Sequence, residues 1–144
     1  MPGIDSYSLD NLSIDGFQDA GNFVAGTTVN IYNMSISQPV RNSTTPVLAL
    51  RVKMTIGGTI KVYPTFRTGV TGINSYCRIY VNGNPFGTTR SSSNASSSTT
   101  YNEDVTIKAG DEIQIYLWND PGGNPVTLNA CAFTVERFYT ESSI

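Results

Sequence analysis

Residues 76–85 read Tyr-Cys-Arg-Ile-Tyr-Val-Asn-Gly-Asn-Pro, and this run decides the fold. Cys77, Ile79 and Val81 alternate with Tyr76, Arg78 and Tyr80 until four turn-forming residues end the pattern. A period of two sends successive side chains to opposite faces, which is the signature of a strand and not of a helix. Asn82-Gly83-Asn84-Pro85 reads as a turn. The alternation recurs on both sides of this segment: Val29 and Ile31; Leu48, Leu50, Val52 and Met54; Ile60 and Val62; Val105 and Ile107; Ile113, Ile115 and Leu117; Cys131, Phe133 and Val135. At least seven strands result, separated by Gly57-Gly58, by 69–72, by 82–85, by Ala109-Gly110-Asp111 and by 120–125. Nothing reads as a long helix, and the Ser-rich stretch 91–98 reads as a loop. The expectation is an all-β fold, an antiparallel β-sandwich with jelly-roll-like connections, over residues 27–144.

Residues 1–26 differ. They hold Asp5, Asp10, Asp15 and Asp19 with no basic residue, whereas all 9 Lys and Arg lie beyond them. Ile4, Tyr7, Leu9, Leu12, Ile14 and Phe17 recur at alternating spacings of three and two, which fits neither a helix nor a strand. An irregular arm that docks its apolar side chains on a surface is expected, because leaving six of them in water is costly.

Composition removes several functions. There is no histidine, so neither a His-based zinc site nor a Ser-His-Asp or Cys-His nucleophile system can be built, and no cofactor or metal is expected. Lys and Arg total 9 against 11 Asp and Glu, a net charge of -2, which argues against nucleic acid as a partner. No run is long and apolar enough for a membrane span, and no secretory signal opens the chain, so a cytoplasmic folding compartment is expected. There Cys77 and Cys131 are expected to stay free thiols, and the Asn-x-Ser/Thr triplets at Asn11, Asn33, Asn42 and Asn94 are by-products of composition. The neighbouring carboxylates Glu103-Asp104 and Asp111-Glu112 point to opposite faces within each pair, so no catalytic residue is assigned. A glycan-degrading enzyme using Glu103, Asp111 or Glu112 is the least favoured reading. The loop 119–124 lacks the acidic ladder of a calcium site and reads as a turn.

The alternation also sorts the aromatic residues. Tyr32, Tyr63, Tyr76, Tyr80, Tyr116 and Trp118, with Arg78 and Gln114 among them, take the face opposite the aliphatic one. Rings with a polar tip suit a surface that something covers. A neighbouring subunit is preferred over a sugar, because the sequence singles out no convergent carboxylates or amides.

Three phrases, RIYVNGNPFGTTR at 78–90, YNEDVTIKAGDEIQIYLW at 101–118 and NACAFTVERF at 129–138, resemble the β-sandwich modules of bacteriophage virion proteins such as tail or head fibres, receptor-binding proteins and decoration proteins. They are more distantly similar to the trimeric jelly rolls of the tumour-necrosis-factor and complement-head type. The resemblance implies a non-enzymatic structural component of a phage particle, assembled in the host cytoplasm, forming a homotrimer. It would attach to other virion proteins through residues 1–26 and could contact a host-surface glycan. The alternative is a carbohydrate-binding module that stacks sugars on Tyr76, Tyr80, Tyr116 and Trp118.

Overall fold

A computed structural model describes residues 27–35 and 37–137 of the chain. The chain divides into two compact units, Asn30–Val135 and a second made of Met1–Val29 with Glu136–Ile144. Only the ends of two strands in the second unit are described. The expected arm, with Ile4, Tyr7, Leu9, Leu12, Ile14 and Phe17, lies outside the described residues.

Ten strands are described: β1 Thr27–Met34, β2 Gln38–Pro39, β3 Val47–Lys53, β4 Gly58–Arg67, β5 Ser75–Val81, β6 Asn84–Ser92, β7 Thr99–Thr100, β8 Glu103–Ile107, β9 Glu112–Asn119 and β10 Thr127–Arg137. They form two antiparallel sheets. In the first, β10 lies between β1 and β4, β2 also pairs with β10, and β7 and β8 share the far side of β4. The second has the order β3-β9-β5-β6. From β3 onward the chain passes repeatedly from one sheet to the other, which is the β-sandwich with jelly-roll-like connections that the alternation predicts.

The inward faces form one core. Ile60, Val62, Phe66, Val105, Leu128, Cys131 and Phe133 of the first sheet meet Cys77, Ile79, Ile113, Ile115 and Leu117 of the second, all without solvent exposure. Burial of such apolar area is the main source of stability, about 25 cal/mol per Å² removed from water. Pro64 sits in the middle of β4, where a missing N–H would normally break the ladder. It falls at the gap between two partners: residues up to Val62 pair with β8, and Thr65 and Phe66 pair with β7.

The turn read at 82–85 closes a hairpin between β5 and β6. Val81 pairs with Asn84, so the loop is the two residues Asn82 and Gly83, with φ of 52° and 83°. Both positive values match a type I′ turn, whose twist suits the flanking strands. Beyond it the chain continues as β6 to Ser92, so Ser91 and Ser92, the first two residues of the stretch expected to be loop, are strand paired with Tyr76 and Ser75. The loop after them is tied down: Gly72 N–H donates to Ser93 O at 2.8 Å and Ala95 N–H to Thr71 Oγ1 at 3.1 Å.

In β1 the expected facing is inverted. Tyr32 turns inward and its ring meets Phe133 at 4.9 Å between centroids, while Ile31 is left 36% exposed. β1 is an edge strand with two alternating aliphatics, and burying a larger ring against Phe133 outweighs covering one isoleucine.

Gly69 marks a close approach. A Cβ there would lie 2.6 Å from Asn124 Cβ and 2.7 Å from Pro125 O, and neither backbone segment can swing away as a flexible side chain would. Gly69→Ala is therefore expected to destabilise the sandwich by about 1–3 kcal/mol, the usual cost of overpacking, as read from the urea midpoint.

Cys77 and Cys131 are free and buried, one on each sheet. Burial pushes both thiols up to about 12. Since the thiolate is the reactive form, iodoacetamide at pH 8 is expected to label neither in the folded protein and both in urea. The unfolded thiols ionise near 9, so their contribution to stability is whole below that pH and is lost as pH climbs from there towards about 12.

Candidate functional site

The outer face of the second sheet is set by the β5–β9 register. Tyr76 lies opposite Trp118, Arg78 opposite Tyr116, and Tyr80 opposite Gln114. In a pleated pair, residues opposite one another share a face. Six of the eight expected surface residues therefore come together here, all but Gln114 half-buried. The Tyr76 and Trp118 rings stack at 5.5 Å with 23° between planes. Those of Tyr80 and Tyr116 meet at 4.1 Å and 37°. From Tyr76 to Tyr80 the face runs about 13 Å, at about 3.3 Å per residue.

The two others go elsewhere. Tyr63 pairs with Ala132 on the outer side of the first sheet, and Tyr32 packs on Phe133. Alternation gives the parity of a side chain within its strand, but not the sheet its strand will join.

Gln114 belongs to the scaffold. It is 7% exposed; its Oε1 accepts from Gly83 N–H at 2.9 Å and its Nε2 donates to Glu112 Oε1 at 2.8 Å. It fixes the hairpin turn onto β9 and is not a free surface amide. Leu48, by contrast, comes to the aromatic face. A bulge between Leu48 and Leu50 inserts one extra residue into β3, so that Leu48 stands opposite Tyr116.

Polar groups converge at the Trp118 end. Asp120 accepts from Tyr76 OH at 3.1 Å through either carboxylate oxygen, and from Asn74 Nδ2 at 3.2 Å. The pairing of Ser75 with Asn119 brings these two loop residues together. Partial burial and the hydrogen bond to Asp120 raise the Tyr76 hydroxyl above the ordinary phenol range. Arg78 lies midway along the face. Its Nε donates to Phe86 O at 3.3 Å and its Nη2 to Gly87 O at 2.8 Å, both carbonyls belonging to β6.

The carboxylates weighed for catalysis are spread over different contacts. Glu103 Oε2 accepts from Thr88 N–H at 2.9 Å and faces Arg90 at 3.4 Å, closing the sandwich where β8 meets β6. Asp111 accepts from Lys108 N–H and Asn82 Nδ2, which hold its carboxyl below the usual carboxylate range. Glu112 faces Arg51 at 3.8 Å. Among the described residues no cluster of three or more acidic or thiol ligands could hold a metal ion.

No protein-family model matches the chain, and no curated protein does. Among solved structures it is similar to a family 35 carbohydrate-binding module from Clostridium thermocellum, at 16% identity and a TM-score of 0.45 over 76% of this chain and 98% of that one. It is similar to the C-terminal domain of EclA, a sugar-binding protein, at 11% identity and a TM-score of 0.49 over 92% and 99%. It is also similar to part of the cycloalternan-forming enzyme of Listeria monocytogenes, at 11% identity and a TM-score of 0.44 over 65% of this chain; there it spans 9% of the enzyme's length. At such identities the similarity concerns architecture.

The expectation of a phage structural component is corrected by this outcome, since the similar sandwiches include family 35 and family 36 carbohydrate-binding modules and a sugar-binding domain. The physical reason lies in the three phrases. They fold as the β5–β6 hairpin, as β8 and β9 with the tight turn that carries the chain from the first sheet to the second, and as β10, so what they share with virion modules is turn chemistry that any antiparallel sandwich uses. The trimer, the virion partners and the location in a particle rested on that resemblance and are not carried further.

Proposed function

We propose that the chain is a carbohydrate-binding β-sandwich that takes saccharide on the outer face of β5 and β9. The observation that carries this reading is the near-parallel Tyr76–Trp118 pair, continued by Tyr80–Tyr116 and ended by the hydrogen-bonded Asp120 and Asn74. A pyranose ring has an apolar C–H side and a polar rim. Aromatic rings match the first, and a few fixed polar groups match the second. The convergent carboxylate and amide that the sequence did not single out are supplied by the loops that carry Asp120 and Asn74. Binding is non-catalytic in this reading, and the rigid sheet holds the rings in place before the ligand arrives, which limits the entropy lost on binding.

Affinity electrophoresis of the full chain through gels containing xylan, mixed-linkage glucan, galactomannan, alginate or pectin tests it. Retardation in at least one gel is expected, reversed by the corresponding free oligosaccharide. Unretarded migration in all of them overturns the reading.

A further inference from the structure

Arg78 stands at the middle of the aromatic face, with Tyr76 and Tyr80 two residues away on its own strand and Tyr116 opposite. Its two hydrogen bonds use one edge of the guanidinium. Nε and Nη2 form the side-on edge, and both donate to the adjacent carbonyls of Phe86 and Gly87. Those carbonyls lie where the β5–β6 register shifts between Cys77 and Ile79, and the irregularity aims them at Arg78. The head group is thereby turned over β6, beside the rings, with its side-on edge anchored. A guanidinium has five N–H donors in a fixed fork, so three remain, and Nη1 together with the second Nη2 hydrogen makes up the end-on edge.

No carboxylate within the described residues pairs with Arg78. The ion pairs there are Arg51–Glu112, Lys61–Asp104 and Arg90–Glu103. Asp120, the acid of the aromatic face, lies past Trp118 and is engaged by Tyr76 and Asn74. A preset cation that no carboxylate among the described residues compensates, half-buried beside stacked rings, suits an anion carried on a ring. The end-on edge fits the two oxygens of a planar carboxylate.

We infer that this face selects acidic saccharides, with a uronate carboxylate paired to the end-on edge of Arg78 while its sugar ring stacks on Tyr80 and Tyr116. The inference rests on the carbohydrate-binding reading and names its ligand class. Arg78 is the specificity-determining residue, and the rings supply the part of the affinity that is common to neutral and acidic sugars. Since the chain as a whole carries a net charge of -2, the attraction is local and not a property of its overall field.

The test is calorimetric titration of the full chain with oligogalacturonate and oligomannuronate, each beside its fully methyl-esterified form. Esterification keeps the backbone and removes only the charge. At least one acid is expected to bind about tenfold more tightly than its ester, as a charge-assisted bidentate contact allows. Arg78→Gln is expected to bring acid and ester to the same affinity while ester binding persists. Arg78→Lys, which keeps the charge but loses the fork, is expected to recover less than half of the preference on a logarithmic scale. Equal affinity of acid and ester in the unaltered protein overturns the inference and leaves glycan binding standing. Binding of neither acids nor esters, with retardation in a neutral polysaccharide gel, also overturns the inference alone. Absence of binding to every saccharide removes both readings. The comparison of acid with ester needs no variant, so it decides even where Arg78→Gln unfolds.

Discussion

Trp118→Ala is expected to weaken saccharide binding by about thirtyfold or more, equivalent to roughly 2 kcal/mol, while the sandwich stays folded. Two losses add in this variant. The largest ring of the face disappears, and Tyr76 loses the partner that stacks on it at 5.5 Å, so the phenol left behind is less firmly placed. The effect on folding is small by comparison, because Trp118 is half-exposed and its strand neighbours Leu117 and Asn119 point into the buried side. Tyr63→Ala supplies the contrast. Its ring also projects from a strand, but on the outer side of the other sheet, and its loss is expected to leave affinity unchanged. Retained binding in Trp118→Ala, or an equal loss in Tyr63→Ala, would place the ligand elsewhere on the molecule. Titration of both variants with the saccharide that retards the parent protein reads the difference directly.

That contrast also marks how far the amino-acid order reaches. The β5 and β9 strands were legible because each alternates cleanly along its whole length and because both end in unmistakable turns. Once they pair, Tyr76, Arg78, Tyr80, Tyr116 and Trp118 must share one face. β6 was not legible as a strand: Asn-Pro-Phe-Gly-Thr-Thr-Arg-Ser-Ser carries one large apolar residue, since an edge strand with an irregular register has little to bury. Leu48 escaped because a bulge resets parity, and alternation cannot see an extra residue. Asp120 and Asn74 escaped for another reason. They are 46 residues apart in loops, and only the pairing of two distant strand ends makes them neighbours. Chemistry that sits on one strand can be read locally, whereas chemistry assembled from loops needs the tertiary register.

Phe133→Ala is expected to cost about 3–5 kcal/mol, the largest effect on stability of any change considered, because the ring is fully buried and the cavity it leaves cannot collapse between two hydrogen-bonded sheets. For a domain holding about 5–15 kcal/mol in total, that loss moves the urea midpoint far down or unfolds the chain outright. A double-mutant cycle with Phe133→Leu and Tyr32→Leu then asks which way β1 faces. With the rings in contact at 4.9 Å, a coupling of about 0.5–1.5 kcal/mol is expected. Ile31→Thr should be nearly neutral, within about 0.5 kcal/mol, as a surface position is. The opposite outcome, no coupling and a costly Ile31→Thr, would mean that β1 presents Ile31 to the core and turns Tyr32 outward, as simple alternation expects. The distinction is worth making because reversing an edge strand by one residue exchanges every side chain between core and solvent. Tyr32 on Phe133 is what fixes β1 in the register that leaves Ile31 at the surface.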